Sequence, residues 1–184
     1  MPGRGCKVWN GSENHRWKVI AVPDGDTLMI AGGPHGQCKE WLRLLCIDTP
    51  EHGQVGFEGS REAMKALVFG KYCRVEPEKL WKYRRDRYGR TLAYVFEGDL
   101  LVNAEMVRQG WSTYFTRFGR GRFAETMGEC QVMAESERRG VWANYNQGEK
   151  WQWGRGRAKP HFKTSEAMQR YAETQTRKER LKDG

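Results

Sequence analysis

At 184 residues the chain suits one domain with a sizeable core and is short for two. It carries 32 Lys and Arg against 23 Asp and Glu, and the net charge of +9 indicates a polyanionic partner, with nucleic acid the first candidate. The sequence has no long apolar run and no basic amphipathic anchor, so no membrane partner is expected. The first residues lack the apolar segment of a secretory signal, and we expect a cytoplasmic protein.

Strand patterns come first along the chain. The runs WKVIAV (17–22) and DTLMI (26–30) flank the turn signal PDG and predict a strand pair or one bent strand. After the glycine-rich AGGPHGQ, the segment CKEWLRLLCI (38–47) predicts a third strand that enters the core. These three segments therefore indicate a meander.

Helical patterns interrupt and then follow the strands. SREAMKALVFG (60–70) predicts a helix with Ser60 as its N-cap and Gly70 as its C-terminal stop. The strand patterns YCRVEPE and TLAYVFEG come next, separated by the charged segment KLWKYRRDRYGR, and NAEMVRQ predicts a short second helix. FAETMGECQVMAESERR predicts a third helix with an apolar stripe, and a hydrophobic lock of Val141 and Trp142 follows it. The stripe comprises Phe123, Met127, Cys130 and Ala134.

Five short strands, with a helix before the last two and helices after them, predict an α+β fold that is mainly β. We expect a closed five-stranded barrel of the OB type with three packed helices. The chain then divides into an N-terminal arm (1–16), the barrel domain (17–144) and a basic C-terminal extension (145–184) that is low in aliphatic residues. The basic and aromatic composition of the extension fits either stacking of nucleic-acid bases or a solvated charged surface.

The cysteines and histidines give no sign of a metal or redox site. The five cysteines are odd in number and widely spaced, with no C-x-x-C pair, so we expect free thiols in a reducing compartment. No histidine stands at a ligand spacing from another. The cysteines are Cys6, Cys38, Cys46, Cys73 and Cys130.

Three acidic residues fall at the ends of predicted strands. Asp26 follows the first turn, and Asp48 and Glu51 follow the third strand in the segment RLLCIDTPE. If these ends share one rim of the barrel, their carboxylates converge and suit a hard cation such as Ca²⁺ or Mg²⁺, with the Thr49 carbonyl as a further ligand. Taken singly, each acid is more often a turn or cap residue than a ligand.

Two arginines change the balance. Arg43 lies in an otherwise apolar strand, and Arg90 follows the tight turn of DRYGR. Either could simply face solvent, and the strand alternation does not decide for Arg43. Two guanidinium groups beside a carboxylate-bound cation would nevertheless suit phosphoryl chemistry, with a spare carboxylate such as Glu51 taking a proton from water.

The segments VPDGDTLMI, RLLCIDTPE, DRYGRTLAYVF, VNAEMVRQGWS and RRGVW follow one another as they do in the staphylococcal nuclease (thermonuclease) family, which the chain resembles over about residues 17–144. The resemblance implies a Ca²⁺-dependent endonuclease, with Mg²⁺ or another divalent ion as the alternative, that cuts the P–O5′ bond of DNA or RNA and leaves 3′-phosphates. The implied metal ligands are Asp26, Asp48 and the Thr49 carbonyl. The implied catalytic residues are Arg43, Glu51 and Arg90, and the implied nucleotide contacts are Tyr88 and Tyr114.

Other classes of function stay open. The chain could be an inactive OB-fold nucleic-acid binder, although such domains have typically lost catalytic residues that are all present here. It could also be a scaffold whose extension binds a protein partner, which is compatible with either reading. We expect a monomer with no obligate protein partner.

The loop after Glu51 looks shorter than in the founding member of the family, and the hairpin before Arg43 looks longer, so substrate preference stays open.

Overall fold

The computed structural model describes residues 16–32, 38–78 and 85–144. Most of the expected N-terminal arm and the whole C-terminal extension lie outside these residues. The strands are β1 Arg16–Ala21, β2 Thr27–Gly32, β3 Cys38–Leu44, β4 Ile47–Asp48, β5 Tyr72–Pro77, β6 Thr91–Glu97, β7 Leu100–Leu101 and β8 Thr113–Tyr114. The helices are α1 Phe57–Val68, α2 Val102–Arg108 and α3 Ala124–Ser136, with a 3₁₀ turn at Gly140–Asn144.

Five strands close into a barrel. β1 pairs antiparallel with both β2 and β5, β2 pairs with β3, and β5 pairs with β6. The parallel pairing of β3 with β6 closes the ring. This arrangement, with α1 between β4 and β5 and with α2 packed on α1, α3 and β6, is that of an OB barrel, so the predicted fold class is confirmed.

The core follows from strand alternation. Trp17 and Val19 of β1 are fully buried while their neighbours Arg16 and Lys18 are exposed, so one face of the strand points into the barrel. The predicted stripe of α3 packs as expected, with Met127 and Ala134 completely buried and Phe123 and Cys130 partly so. Val141 and Trp142 pack on Ala134, and the predicted hydrophobic lock is confirmed.

The third strand is shorter than the sequence predicts. Instead of running through residue 47, it ends at Leu44, and the chain turns at Leu45 and Cys46 before the two-residue β4 begins. Cys46 has φ = 60°, in the left-handed region that ends a strand. This break moves Asp48 onto a separate short strand that pairs with β8, whose two residues are too few to leave a sequence pattern.

The first helix begins earlier than predicted. It starts at Phe57 after an N-cap at Gly56, which has φ = 88°, so Ser60 lies inside the first turn and is not the cap. The Ser60 hydroxyl donates to the Phe57 carbonyl at 2.9 Å, which is the back-bond of a serine inside a helix, whereas a capping serine accepts from a backbone amide. The predicted stop is confirmed, because α1 ends at Val68 and Gly70 has φ = 75°.

The cysteines differ from the prediction at one position. Cys46, Cys73 and Cys130 are free thiols, but Cys38 at the start of β3 is disulfide-bonded. The expectation of free thiols is therefore wrong for Cys38, because spacing along the chain does not report which segments meet in space.

Among the described helices, none has the length and apolar character needed to cross a bilayer.

Candidate active site

One rim of the barrel gathers the acidic residues and arginines. The turn between β1 and β2 brings Asp24 and Asp26 to this rim, and Thr27 stands opposite Arg43 in the β2–β3 register. The Leu44 amide donates to the Asp26 carbonyl at 2.8 Å, which fixes the end of β3 against the turn. Backbone pairing therefore places the first predicted acid beside the first predicted arginine.

Arg43 joins two of the predicted metal ligands. Its Nε lies 3.2 Å from Asp26 Oδ1 and its Nη2 lies 3.0 Å from Asp48 Oδ1, while its side chain is only 12% exposed. Its Nη1 donates to the carbonyls of Leu44 and Ile47 at 2.7 and 2.8 Å. The backbone of the β3–β4 turn thus orients the guanidinium, and the two carboxylates neutralise it.

The electrostatic balance at Arg43 shows how many acids share this rim. Burial alone would lower the pKa of Arg43, but the carboxylates of Asp26 and Asp48, and then those of Asp24 and Glu51, outweigh burial and raise it. Four acidic side chains therefore act on one guanidinium. The convergence expected from the strand ends is present, and it centres on an arginine.

Asp26 is almost completely buried and receives several hydrogen bonds. Its Oδ2 accepts from the Thr49 backbone amide at 3.1 Å and from the Thr49 hydroxyl at 3.3 Å. Its Oδ1 accepts from the Thr27 hydroxyl at 3.1 Å. Asp26 is 3% exposed and Thr49 2%, so these contacts hold the turn and the segment after β4 together in a largely dry setting.

Asp48 is positioned by the backbone of β4. This strand pairs antiparallel with β8, where Asp48 stands opposite Thr113. The Asp48 amide donates to the Ser112 hydroxyl at 2.8 Å, and that hydroxyl lies 3.0 Å from the Asp48 carbonyl. The buried Ser112, which no sequence signal had singled out, therefore anchors the strand that carries this acid.

Asp24, which the sequence marks only as part of a turn signal, belongs to the acidic cluster at the rim. Its Oδ1 accepts the Asp26 amide at 3.0 Å. Burial raises its pKa to about 7, assisted by the charges of Asp26 and Glu51, while the hydrogen bond from the Asp26 amide and the charge of Arg90 oppose the rise. The available signal was the string DGD, in which two acids are separated by a single glycine.

Glu51 lies just after β4, where its backbone amide donates to the Gln54 side-chain oxygen at 2.7 Å.

Arg90 reaches the same rim from the turn before β6. Its Nη1 donates to the Thr27 hydroxyl at 3.0 Å, and that hydroxyl in turn bonds Asp26. Its Nε donates to Asp86 Oδ2 at 2.7 Å. One threonine hydroxyl therefore links the second predicted arginine to the first acid.

Asp86 organises the turn that presents Arg90, and sequence reasoning missed it. Its Oδ1 accepts the backbone amides of Tyr88 and Arg90 at 2.9 and 3.0 Å, while its Oδ2 accepts the Arg90 side chain. Gly89 completes the turn with φ = 80°. The Asp–Arg pair spaced by four residues in DRYGR was the signal that could have found it.

A second ion pair fastens this turn to the barrel. Arg85 pairs with Glu40 of β3, at 2.5 and 3.1 Å through its two terminal nitrogens, and also donates to the Gly89 carbonyl at 2.6 Å. Glu40 also accepts the Thr91 hydroxyl at 2.9 Å. The turn therefore contacts β3 as well as β6, and these contacts restrict the position of Arg90 relative to the rim.

The two predicted nucleotide contacts lie in different settings. The Tyr88 ring is close to the Arg87 and Arg90 guanidinium groups, with centroid distances of 4.8 and 5.4 Å, and so stands at the rim. Tyr114 pairs with Ile47, the residue before Asp48, and its hydroxyl donates to the Arg120 carbonyl at 2.6 Å. Tyr88 is thus in direct contact with a site arginine, whereas Tyr114 borders the strand that carries Asp48.

The donor set fits a hard divalent cation chemically, although no ready-made cage is formed. Among the residues that the structure describes, no group of three or more His, Cys, Asp or Glu is arranged to hold a metal ion. Asp26 and Asp48 are instead neutralised by Arg43. Four acids around one arginine leave negative charge that an oxygen-seeking cation such as Ca²⁺ would compensate.

The fold and the rim define a class of protein: a small OB-type barrel whose first turn and third strand carry an acid-and-arginine site. Residues 41–144 match the family model described as staphylococcal nuclease homologue. The chain belongs to this family, and the resemblance seen in the sequence is confirmed.

Named relatives agree with the family assignment. The chain is 32% identical over 143 residues to an uncharacterized endonuclease of Haemophilus influenzae, covering 78% of this chain and 75% of that protein. It is 30% identical over 149 residues to a micrococcal nuclease of Shigella flexneri, covering 76% and 80%. It is 29% identical over 150 residues to a thermonuclease of Staphylococcus hyicus, covering 78% and 84%.

Proposed function

We propose that this protein is a divalent-metal-dependent endonuclease that hydrolyses DNA, RNA or both at the P–O5′ bond and leaves 3′-phosphate ends, with Ca²⁺ as the metal. Membership of the staphylococcal nuclease family supports the reaction class. The observation that carries the proposal is the hydrogen-bonded chain from Arg90 through Thr27 to Asp26, Arg43 and Asp48 at one rim.

The metal would be held by carboxylate and carbonyl oxygens. Asp26 and Asp48 would bind it together with the Thr49 carbonyl, all from the two segments that meet at the rim. When bound, Ca²⁺ supplies charge neutralisation for the scissile phosphate. A buried Asp26 and a half-buried Asp48 keep the site partly dry, so charged contacts there are stronger than in water.

The two arginines would bind the phosphate from different directions. Arg43, already oriented by two backbone carbonyls, would turn its Nε and Nη2 from carboxylate to phosphate oxygens. Arg90, held through Nε by Asp86, would stabilise the charge that grows on the pentacoordinate phosphorus and assist departure of the O5′ atom.

Glu51 would act as the base. Water adds to phosphorus as Glu51 takes one of its protons, the P–O5′ bond breaks, and the departing O5′ takes a proton from solvent, to which Glu51 releases its own. The products are a 3′-phosphate and a 5′-hydroxyl. Tyr88, beside Arg90, and Tyr114, beside the strand of Asp48, would contact the nucleotide on either side of the scissile bond.

Release of acid-soluble nucleotides from single-stranded DNA and from RNA tests the proposal. We expect release with Ca²⁺, none with chelator, and loss of release in Glu51→Ala. Glu62→Ala is the matched control, because it removes an exposed glutamate of α1 and should keep full activity. End-group assays should find 3′-phosphates.

Two results would overturn the assignment. The first is tight, salt-sensitive binding without cleavage under any divalent ion, which would identify an inactive OB-fold binder. The second is unchanged cleavage by Glu51→Ala, which would remove the proposed base. The monomeric state and the cytoplasmic location stay predictions, to be checked by light scattering and by cell fractionation.

A further inference from the structure

A cationic surface lies on the outside of the barrel, away from the rim. The register places Lys39 of β3 opposite Ala31 of β2, Ala31 opposite Lys18 of β1, and Lys18 opposite Tyr72 of β5. Residues paired in this way point to the same side of the sheet. The row is outward, because its residues alternate with the buried core positions of each strand.

A parallel row adds two more arginines. Arg16 stands opposite Arg74, and Arg74 stands opposite Phe96, with its guanidinium 4.0 Å from the centre of that ring. This row lies two residues along the strands from the first, or about 7 Å. We call the surface formed by Arg16, Lys18, Lys39, Tyr72 and Arg74 the outer cationic face.

The charges of this face are largely uncompensated. Arg74 pairs with Glu76, but Arg16, Lys18 and Lys39 make no ion pair within the residues that the structure describes. Two like charges directly opposite each other, such as Arg16 and Arg74, destabilise a sheet. A surface that keeps such a pair has a positive electrostatic potential, which attracts a polyanion.

Tyr72 decides which polyanion fits. Tyr72 is 59% exposed at the end of the row beside Lys18, and the Lys18 ammonium stands 6.0 Å from the centre of its ring. An exposed aromatic ring among cations can stack a nucleic-acid base while its neighbours contact phosphates. An anionic membrane or an acidic peptide would use the charges but has no base to stack there.

We propose that the outer cationic face binds single-stranded nucleic acid, and that it holds a part of the substrate remote from the bond being cut. This inference rests on the proposed nuclease function. Lys18 precedes Asp24 by six residues, across the end of β1 and the turn that follows it, so the two residues are at most about 20 Å apart. A strand rising about 3.4 Å per nucleotide needs roughly six nucleotides to cross that distance.

Oligonucleotide length therefore separates the two sites. We would measure binding by fluorescence anisotropy, with chelator present so that nothing is cleaved, using single strands of about 4 and about 20 nucleotides. The longer strand reaches both surfaces, whereas the shorter one cannot. Each cation lost from a phosphate contact should reduce the slope of log K against log salt by about 0.7.

Three variants and one control test the face. Lys18→Ala should lower the salt slope for the long strand by about 0.7 and Lys18→Ala/Lys39→Ala by about 1.4. Tyr72→Ala should weaken long-strand binding about fivefold or more. All three should bind the short strand, and cleave it with Ca²⁺, as the unchanged protein does. Lys65→Ala, which removes a lysine of α1 that pairs with Glu62, should change neither slope nor affinity.

Several outcomes would overturn the inference. If Lys18→Ala/Lys39→Ala binds the long strand with unchanged affinity and salt slope, the outer cationic face does not bind nucleic acid. If Lys65→Ala loses as much affinity as the face variants, the effect comes from the net charge of the protein and not from this surface. If the face variants lose binding to vesicles of anionic lipid but keep oligonucleotide binding, the outer cationic face binds a membrane and not nucleic acid. If the unchanged protein cleaves no strand with any divalent ion, the proposed nuclease function fails, and the binding series still decides whether this surface holds nucleic acid.

Discussion

Asp86 offers a sharp test of how the rim works, because it touches Arg90 and no other proposed catalytic side chain. The substitution Asp86→Asn keeps an oxygen acceptor for the backbone amides of Tyr88 and Arg90. It removes the charge that faces Arg90 Nε at 2.7 Å. The turn should therefore persist while the guanidinium loses its orienting partner.

The size of the effect follows from that one contact. The two side chains are 14% and 17% exposed, so the pair is mostly shielded from water. A hydrogen bond to a charged group contributes about 1.5 to 3 kcal/mol. If this energy serves to hold Arg90 in place for the transition state, kcat should fall roughly tenfold to a hundredfold, since each 1.36 kcal/mol is a factor of ten.

The assay is steady-state cleavage of single-stranded DNA with Ca²⁺, combined with a double-mutant cycle. Arg90→Ala alone should lower kcat by about 100-fold or more. Asp86→Asn should add nothing in the Arg90→Ala background, because a positioning residue has no effect once its target is gone. The reasoning is refuted if Asp86→Asn keeps full kcat, or if the two losses multiply. A melting temperature within a few degrees of the parent would exclude simple unfolding of the turn.

Two further predictions concern the barrel itself. Gly121→Ala should lower the free energy of unfolding by about 2 to 5 kcal/mol, because the residue has φ = 67° and a Cβ would collide with the Tyr94 hydroxyl and approach Cys46 Sγ to 2.8 Å. Gly98→Ala, at φ = 58° with open space around it, should cost only about 1 kcal/mol in the same denaturant titration, and equal losses would disprove the packing argument. Burial raises the pKa of the Cys73 thiol to about 11, so the unfolded chain loses this proton first as the pH rises. Stability should therefore fall between about pH 9 and pH 11, by up to about 2.7 kcal/mol, and the same titration of Cys73→Ala should lack that component.

The strands and the core were predictable because their signals are local and repeated. Alternation in β1 and the stripe of α3 each involve several residues that must all agree, so a single exception does not mislead. The start of α1 and the break after β3 were not predictable, because each depends on one backbone conformation. Gly56 supplies the first, and Cys46, a residue type that seldom adopts positive φ, supplies the second.

The convergence of the acids and arginines on one rim was predictable, but the contacts between them were not. Strand ends suggested that Asp26 and Asp48 meet, and they do, but at the guanidinium of Arg43. The supporting residue Ser112 left no sequence signal, and Asp86 left only its four-residue spacing from Arg90, which is weak because an aspartate in a turn usually serves the turn alone. The cation row on the outer face needed the strand register, which the sequence leaves undetermined for Lys18 and Lys39.

The position of Arg43 ties the metal and phosphate assignments together. Asp26 is buried, and a buried carboxylate needs a neutralising partner, which Arg43 now supplies through Nε. Were Arg43 to move onto a phosphate without replacement, two carboxylates would be left facing each other in a poorly hydrated rim. Under the proposed function, a divalent cation bound to Asp26 and Asp48 removes that penalty, so phosphate binding by Arg43 and metal binding by the two acids should strengthen each other.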